Sequence, residues 1–518
     1  MNFPDSDTLL LYAVPSICWA ASICWLLYRQ RSAFPGIPGS DGLISSYLVA
    51  LRFLRRPNEV IVLGCNQDRN GVFRFARLFN WEYVVVGRKR VVELAAAPSN
   101  ILSAVEALAD TFQTDYTLGL EFRINPYHIG MVQGPLTRNL SRCFPRVRDE
   151  IVHAFDHVLG LHENVWNLVQ IFPASIQVVA RTSNRLFFDL PICRESEYLQ
   201  LCIDNAVVVF TRGPMLCRLP KVLRPVLGPF LSPRKRTLRQ VLKFLGPLID
   251  ERLEQEKRYG RNWPGRPNDL ISWLLDVSEG EGRTKPVLAQ RVLIINAVAI
   301  HTSAMTLTNA LYDLTTYPEH ILPMREEAES VIAAQGWTKA ALNDMHKIDS
   351  FLRESMRLNI NTLQLRRKVV AKDGFRFSDG TTIPYGSFIS VPGKATHYDP
   401  GTHSIALDAD IYISLPNVFD GFRLSRLREE RHGLDASGCS DLFTRHMIST
   451  APEHIAFGHG QHACPGRFFA ATELKAMLAH MLINYDIKAE TDIRPPEICI
   501  AEATMPNPQG KIWIRKRE

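Results

Sequence analysis

Apolar residues recur at three- and four-residue spacing over most of residues 136–316, and this pattern predicts a series of amphipathic helices. Glycine, proline and charged residues interrupt the pattern at residues 212–214 and again at residues 258–267, where we expect the helices to break. Residues 293–311 are apolar on almost every side except near the middle, so we expect a buried core helix there.

Two stretches show β-hairpin patterns instead. In residues 72–98, two β-branched and aromatic runs flank Phe79-Asn80-Trp81, and a short helix should end near Pro98. In residues 373–392, turn residues lie between β-prone flanks. No internal repeat or long linker divides the rest of the chain. The pattern therefore predicts one large, mainly α-helical domain with small β-sheets over residues 43–518.

The N-terminal part of the chain contains 21 uncharged residues, 8–28. As a helix they would span about 30 Å, which matches the hydrocarbon core of a bilayer. Arg29 and Arg31 follow directly, and basic residues favour the cytoplasmic side of a membrane. A cleaved signal peptide or a buried helix is the alternative, but the acidic start is unlike a signal peptide. We predict a single membrane anchor over residues 1–30, a Pro/Gly hinge over residues 31–42, and a cytoplasmic main domain.

Composition changes this picture little. Charged residues make up 22% of the chain and hydrophobic residues 46%, which is ordinary for a globular protein. The net charge of +7 is spread along the chain, so it suits a membrane surface or an acidic partner and does not indicate nucleic-acid binding. The ten cysteines form no C-x-x-C pair and no recognisable disulfide or zinc-ribbon framework.

Cys464 differs from the other cysteines in its surroundings. Gly458, Gly460 and Gly466 lie around it, and they allow positive φ angles and close approach of the backbone to a flat ligand. A helix is predicted to follow over residues 468–482. A thiolate just before a helix is stabilised by the helix dipole and by free backbone N–H groups. These conditions favour a metal-bound thiolate.

Three other interpretations of Cys464 remain open. It also fits an inert buried thiol, the commonest state of a lone cysteine. His459, His462 and Cys464 could bind zinc, although a closed site needs a fourth ligand. A nucleophilic cysteine with a distant histidine base is the third interpretation. None of the three accounts for the glycines as well as a macrocyclic cofactor does.

The segment resembles the haem-binding loop of the cytochrome P450 family, F-x-x-G-x-(R/H)-x-C-x-G. The matching residues are Phe457, Gly460, His462, Cys464 and Gly466. The resemblance implies a P450 fold with haem b, in which Cys464 is the axial iron ligand and Phe457 packs near its sulfur. It also implies that Gly458 belongs to the cofactor loop, and that His462 replaces an arginine that many members direct at a haem propionate.

Two further elements resemble the family's motifs. Glu354-x-x-Arg357 lies on a predicted helix, and residues 419–424 resemble the F-x-P-x-R-F element, with Gly421 and Leu424 as the departures. By this resemblance Glu354, Arg357 and Arg423 form a buried charge triad behind the haem.

Other cofactor and substrate positions follow from the same resemblance. Arg367 falls where the family places a propionate-binding arginine, with Arg366 as a close competitor. Ile360 replaces the family's usual proline and is expected to border the substrate. The family's W-x-x-x-R pair is absent, and Arg138 and Arg142 are the available substitutes.

Residues 299–303, Ala-Ile-His-Thr-Ser, resemble the family's oxygen-activation segment. Ala299 takes the glycine position beside the substrate. Thr302 takes the place of the key threonine, whose hydroxyl can both donate and accept. His301 stands where the family has an acid, and an unperturbed histidine pKa of about 6.5 would let it relay protons. The alternative for Thr302 is a hydroxyl that only bonds back to its own helix.

Taken as a whole, the resemblance implies a haem-thiolate monooxygenase of the eukaryotic endoplasmic reticulum. It would insert oxygen from O₂ into a lipophilic small molecule that arrives through membrane lipid. NADPH would supply electrons through a separate NADPH–cytochrome reductase, for which Arg467 and Lys475 are candidate contacts. Similarity to fungal members of secondary metabolism indicates a terpenoid substrate. A redox-neutral or peroxide-driven haem enzyme (isomerase or peroxygenase) and a non-catalytic haem protein remain the alternatives.

Overall fold

The structure is a computed structural model that describes residues 36–37, 42–68, 71–398, 417–432 and 446–518. The predicted anchor over residues 1–30 and nearly all of the predicted hinge lie outside these residues. Helices dominate the described part of the chain and small sheets accompany them, as the apolar pattern predicts.

The α-helices, numbered in chain order, begin with α1 (Leu43–Arg55), α2 (Pro57–Gln67), α3 (Arg88–Ala96), α4 (Ala104–Phe112), α5 (Thr114–Thr117), α6 (Glu121–Ile124), α7 (Tyr127–Met131), α8 (Thr137–Leu159), α9 (Ile171–Phe187), α10 (Ser196–Val207) and α11 (Gly213–Cys217). They continue with α12 (Arg224–Leu231), α13 (Arg234–Tyr259), α14 (Leu270–Val277), α15 (Lys285–Thr316), α16 (Ile321–Gln335), α17 (Lys339–Asp344), α18 (His346–Leu358), α19 (Gly393–Tyr398), α20 (Arg423–His432) and α21 (Arg467–Asn484).

The strands are β1 (Val72–Ala76), β2 (Trp81–Val85), β3 (Leu102–Ser103), β4 (Asn167–Gln170), β5 (Leu363–Val369), β6 (Phe375–Arg376), β7 (Thr382–Ile383), β8 (Phe388–Pro392), β9 (Tyr485–Ala489), β10 (Ile498–Ile500), β11 (Ala503–Met505) and β12 (Lys511–Lys516). The largest sheet has the order β1-β2-β8-β5-β3, in which only the β2–β8 pair is parallel. The predicted hairpins are β1–β2 and β6–β7. The remaining sheets are β4-β12-β9 and β10-β11.

Helix α15 forms the centre of the helical core. Every residue from Leu288 to Ala297 is buried, because this stretch packs against α9, α10 and α13. Among the described residues, α15 is the helix whose length and apolar composition would suffice to cross a bilayer. Its most apolar window is 78% buried inside the protein, which is the state of a core helix.

The predicted helix break at residues 212–214 is wrong. A π-helical turn, Val208–Arg212, leads directly into α11, so the backbone stays helical through Gly213 and Pro214. A Cβ on Gly213 would lie 2.3 Å from the carbonyl oxygen of Phe112, so this glycine allows two helices to approach closely. The second predicted break is confirmed, since α13 ends at Tyr259 and α14 begins at Leu270.

A buried carboxyl group joins α9 to α21. Glu473 is 1% exposed, and the hydroxyl of Ser183 lies 3.0 and 3.2 Å from its two carboxyl oxygens. Burial raises the pKa of Glu473 from 4.5 to about 8, while the Ser183 hydrogen bond acts weakly in the opposite direction. The folded protein therefore keeps this side chain protonated at neutral pH.

We expect Glu473 to make the folded state less stable as the pH rises. The folded state retains the proton up to about pH 8, whereas the unfolded chain releases it near pH 4.5, so the stabilising contribution declines between these values. Glu473→Gln removes the ionisation and keeps a polar group of similar size. Between pH 5 and pH 8 the free energy of unfolding of the parent should fall by roughly 3 kcal/mol more than that of the variant. Urea unfolding at both pH values measures this difference, and parallel pH profiles would contradict it.

Candidate active site

The cysteine loop is closed by its own backbone. The N–H of Cys464 donates to the carbonyl of Phe457 at 2.7 Å, and a guanidinium N–H of Arg467 donates to the carbonyl of Cys464 at 2.9 Å. The side chain of Cys464 is half-buried, and α21 begins three residues later. Burial raises the pKa of the Cys464 thiol, while the N–H groups of Gly466 and Arg467 and the charge of Arg467 lower it. A metal ion bound to this thiol would deprotonate it outright.

Two of the three glycines have the backbone conformation that was predicted. Gly458 and Gly460 both have φ of 72°, in the left-handed region. A Cβ on Gly460 would lie 2.4 Å from the carbonyl oxygen of Ala95, so the loop packs tightly on α3. Gly466 has φ of −89°, and the expectation of a positive φ there is wrong. A Cβ on Gly466 would point toward Val132 at 3.8 Å.

Arg367 is a buried cation without an acidic partner among the described residues. Arg367 is 5% exposed. Among the described residues its only hydrogen bond goes to the carbonyl of Arg366, and its Nε has no partner. Burial lowers its pKa to about 10. A buried guanidinium that lacks an anion is costly, so this position suits an anionic group of a ligand.

His462 lies beside this cation. Burial, and secondly the charge of Arg367, lowers the pKa of His462 to about 4, so its imidazole is neutral. Its Nε2 lies 3.1 Å from the hydroxyl of Ser99. The loop therefore offers an anionic ligand one permanent charge and one neutral hydrogen-bonding ring. These groups and the thiol fit a haem, whose propionates need a cation and whose iron needs a soft axial ligand.

Arg366, the competitor of Arg367, is already neutralised. Its Nη2 lies 2.8 Å from a carboxylate oxygen of Glu82, and its Nε donates to the same group at 3.0 Å. Its guanidinium also covers the ring of Phe388 at 4.1 Å. The two adjacent arginines thus have different surroundings, and only Arg367 is available to a ligand at the cysteine loop.

Arg138 and Ile360, which were also predicted as site residues, lie away from Cys464, His462 and Arg367. Arg138 is exposed and lines an outer cavity of about 450 Å³ together with Arg142 and Asp276, and no contact among the described residues joins it to the cysteine loop. Arg138 is therefore not among the residues that we propose for the propionates. Ile360 is 3% exposed and packs in the apolar cluster of the large sheet, with its Cγ1 3.3 Å from the Cβ position of Gly393.

The structure joins the three residues of the predicted charge triad. Arg357 donates twice to Glu354, at 2.8 Å each, and Arg423 reaches the same carboxylate at 3.3 Å. Glu354 and Arg357 are each 4% exposed. Gly421 stands where the family has proline, and its N–H donates to Nε2 of His320 at 3.2 Å, which a proline could not do.

His397 connects the triad to the cysteine loop. Its Nδ1 lies 2.9 Å from the carbonyl of Arg357, and its Nε2 lies 2.9 Å from the backbone nitrogen of Ile455, two residues before Phe457. A carbonyl only accepts and an amide N–H only donates, so His397 must carry its proton on Nδ1. Sequence reasoning missed this residue, because α19 has only six residues and is too short to show a periodic pattern.

One face of α15 is open although most of the helix is buried. Val298 and Thr302 are exposed, and Thr306 is half-buried; their four-residue spacing puts them on the same face. Ala299 lies next to them and is half-buried. The hydroxyl of Thr302 donates to the carbonyl of Val298 at 2.6 Å, as the backbone-bonded alternative predicts. That bond uses only the donor, so the oxygen of Thr302 can still accept a hydrogen bond.

His301 lies between aromatic rings. It stacks on Phe210 with centroids 4.9 Å apart and meets the edge of Phe172 at 5.9 Å. Burial lowers its pKa to about 4, so the imidazole is neutral at physiological pH. A proton relay through His301 would have to use the neutral ring.

Lys475 is not a surface residue, so its candidacy as a reductase contact is wrong. It is 5% exposed, and its Nζ lies 2.6 Å from Asp349 and 3.0 Å from the carbonyl of Leu342. Arg467 is half-buried, with its guanidinium 4.5 Å from the ring centre of Phe468.

The described residues contain no group of three or more His, Cys, Asp and Glu side chains that could hold a metal ion. His459 instead lies 3.3 Å from the hydroxyl of Thr450 and His462 lies beside Ser99, so the zinc interpretation of the loop lacks a ligand set.

Comparison with known proteins shows the family to which the chain belongs. The family model "Cytochrome P450" matches residues 146–513. Cytochrome P450 monooxygenase 151 of Postia placenta is 37% identical over 95% of this chain and 96% of its own length. Cytochrome P450 monooxygenase 103 of the same organism is 37% identical over 99% of both chains. Ent-kaurene oxidase P450-4 of Gibberella fujikuroi is 31% identical over 91% of this chain and 90% of its own length. The chain belongs to the cytochrome P450 family of haem-thiolate monooxygenases, in which a reductase passes on electrons from NADPH.

Proposed function

We propose that this protein oxidises a lipophilic terpenoid in fungal secondary metabolism. In this proposal residues 1–30 anchor it in the endoplasmic reticulum membrane, and residues 43–518 form its catalytic domain on the cytoplasmic side. The observation that carries the substrate class is the 31% identity with an ent-kaurene oxidase over almost the whole chain. The open face of α15 combines the apolar side chains of Val298 and Ala299 with the hydroxyl of Thr302, which is consistent with a mainly hydrocarbon substrate.

In this proposal Cys464 is the axial ligand of the haem, and Phe457, Gly458, Gly460 and Gly466 form the loop around it. Arg367 and His462 hold the propionates, and Arg367 supplies the charge. A haem with an axial thiolate supplies the activation of O₂ for insertion into a C–H bond.

Thr302 is the residue that we propose for proton delivery. Its hydroxyl is held by the carbonyl of Val298 at 2.6 Å, so its oxygen accepts a hydrogen bond from a water in a fixed direction. His301 borders this position as a neutral ring, and Ala299, beside Thr302 on α15, is the residue that we propose for the substrate wall.

Membrane access is supported by the helices that follow α10. Val222, Val226 and Phe230 are 78%, 61% and 83% exposed, and basic residues such as Arg218 and Lys221 lie beside them in the chain. Exposed apolar side chains next to basic ones are typical of a surface that lies on a membrane. We propose that the substrate enters from lipid on this side.

The test is turnover by the full-length protein with a fungal reductase, NADPH and ent-kaurene or related diterpenes as probes. We expect an oxygenated product that depends on NADPH and reductase. In the same assay Thr302→Val should lower product formed per NADPH consumed by roughly tenfold or more, while Thr302→Ser retains most of it, because valine keeps the shape and removes the acceptor oxygen. Product without NADPH would instead favour a redox-neutral or peroxide-driven enzyme, and equal yields from Thr302→Val would contradict the role of the hydroxyl.

A further inference from the structure

We propose that Glu82 is a positioning residue for the haem site. By binding Arg366 it fixes the register of β5 in which Arg367, and not Arg366, faces the cysteine loop. This role of Glu82 rests on the proposed function, in which Arg367 binds a haem propionate. Glu82 itself lies in a distant part of the chain.

Glu82 is a fixed anion inside the large sheet. It is fully buried, and Arg366 and Arg77 contact it at 2.8 and 2.9 Å. The hydroxyl of Ser390 also donates to its carboxylate. Burial alone would raise the pKa of Glu82, but the charges of Arg366 and Arg77 lower it to about 2. Glu82 is therefore ionised, and removing it would take a carboxylate from two half-buried cations, of which Arg77 keeps Glu502 as a partner.

Strand β5 contains one extra residue at this place. Gln364 lies opposite Val391 and Arg367 lies opposite Ile389, so two steps on β8 correspond to three on β5. Leu365 has φ of 51°, in the left-handed region that a leucine rarely adopts. This is a β-bulge, and the surrounding contacts must offset its conformational cost.

The bulge decides which arginine faces the loop. The side of the sheet that carries Ile389 and Arg367 also carries Leu365, whose Cδ2 lies 3.7 Å from the Cβ position of Gly458. In a regular β5 without the extra residue, Arg366 would lie opposite Ile389 and Arg367 opposite Phe388. A one-residue change of register moves each following side chain to the other face. The two arginines would therefore exchange places.

Glu82 is the contact that makes the bulged register favourable. It lies on β2, on the other side of β8 from β5, and is paired in register with Phe388. Its carboxylate holds Arg366 on the Phe388 side of the sheet, where the hydroxyl of Thr111 also accepts a hydrogen bond from that arginine. The ring of Phe388 and the hydroxyl of Thr111 also contact Arg366, but among the described residues Glu82 is the carboxylate that is hydrogen-bonded to it.

The test exchanges the roles of the two arginines. Arg366→Gln and Arg367→Gln are each made in the parent and in Glu82→Ala, and the rate of haem transfer to excess apomyoglobin is measured. In the parent, Arg367→Gln should accelerate haem loss by roughly tenfold or more, and Arg366→Gln by much less. In the Glu82→Ala background Arg366→Gln should accelerate haem loss more than Arg367→Gln does. An unchanged order would overturn the proposal.

A second measurement reads the register without relying on haem. In the full-length parent, amide hydrogens at residues 365–366 lie in the bulge and should exchange faster than those of the regular part of β5. Glu82→Ala, or Glu82→Gln if the alanine variant does not fold, should slow this exchange as the strand becomes regular. Unaltered exchange would contradict the inference, and absence of a haem spectrum from the parent would contradict the proposed function instead.

Glu502→Gln is the matched control. Glu502 pairs with Arg77 at 2.6 Å, and among the described residues it makes no hydrogen bond to Arg366, although the charge of Arg366 also helps to lower its pKa. Its loss should lower stability but leave Arg367 the more important arginine. If Arg366→Gln also became the more harmful substitution for haem retention in Glu502→Gln, Glu82 would have only a general structural role.

Discussion

Cys464→Ser is expected to abolish the red-shifted Soret band that the parent shows in its ferrous–CO difference spectrum. A serine hydroxyl remains protonated near neutral pH and is a far weaker donor to iron than a thiolate, so the loss should be complete. The loop itself should persist, because the Cys464 N–H bond to Phe457 and the positive φ of Gly458 and Gly460 involve the backbone. The thermal unfolding of both proteins without haem should therefore be similar.

Cys499→Ser is the control for this change. Cys499 is also partly buried and free, but it lies at β10, where its sulfur is 3.7 Å from the hydroxyl of Thr504. The spectrum of this variant should match that of the parent. A Soret band that survives Cys464→Ser would show that another group binds the iron, and would remove the basis for the proposed function.

Glu354→Ala is expected to lower the free energy of unfolding by about 3–5 kcal/mol, the usual cost of breaking a buried ion pair by removing one partner. The variant removes the carboxylate that pairs with both Arg357 and Arg423, and it also removes an acceptor for the N–H of Asp420 at 3.1 Å. Because His397 links Arg357 to the cysteine loop, haem retention should fall together with stability. Urea unfolding and the haem content of the purified protein measure both effects.

Glu59→Ala provides the comparison. Glu59 also pairs with two arginines, Arg52 at 2.9 Å and Arg56 at 3.4 Å, but these side chains are largely exposed. Exposed pairs contribute about 0–1 kcal/mol, so this variant should unfold close to the parent. Equal stability of Glu354→Ala and the parent would mean that the triad does not hold the fold together.

Much of the candidate site could be predicted from residues that lie close together in the sequence. The loop around Cys464 is one continuous segment. Its glycines, its proline and the start of the following helix could be predicted from sequence because each acts on its own stretch of backbone. The same holds for Glu354 and Arg357, since a three-residue spacing puts both side chains on one helix face whatever the fold around them.

Residues that depend on distant partners were harder to predict. Arg138 stood at a plausible place in the chain, yet α8 carries it to the outer cavity with Asp276. Lys475 was indistinguishable in sequence from a solvated lysine, and only the fold shows it beside Asp349. Their positions follow from how helices pack, which no local pattern encodes.

The sequence by itself determined the family, the mainly helical architecture, the candidate thiol and the members of the charge triad, because these are expressed in local spacing and residue type. Only the tertiary structure distinguished Arg366 from Arg367, since it pairs Arg366 with Glu82, which lies 284 positions away in the chain, and leaves Arg367 without an acidic partner among the described residues. It likewise assigned His301 a neutral ring between Phe210 and Phe172, because burial among distant side chains sets a pKa.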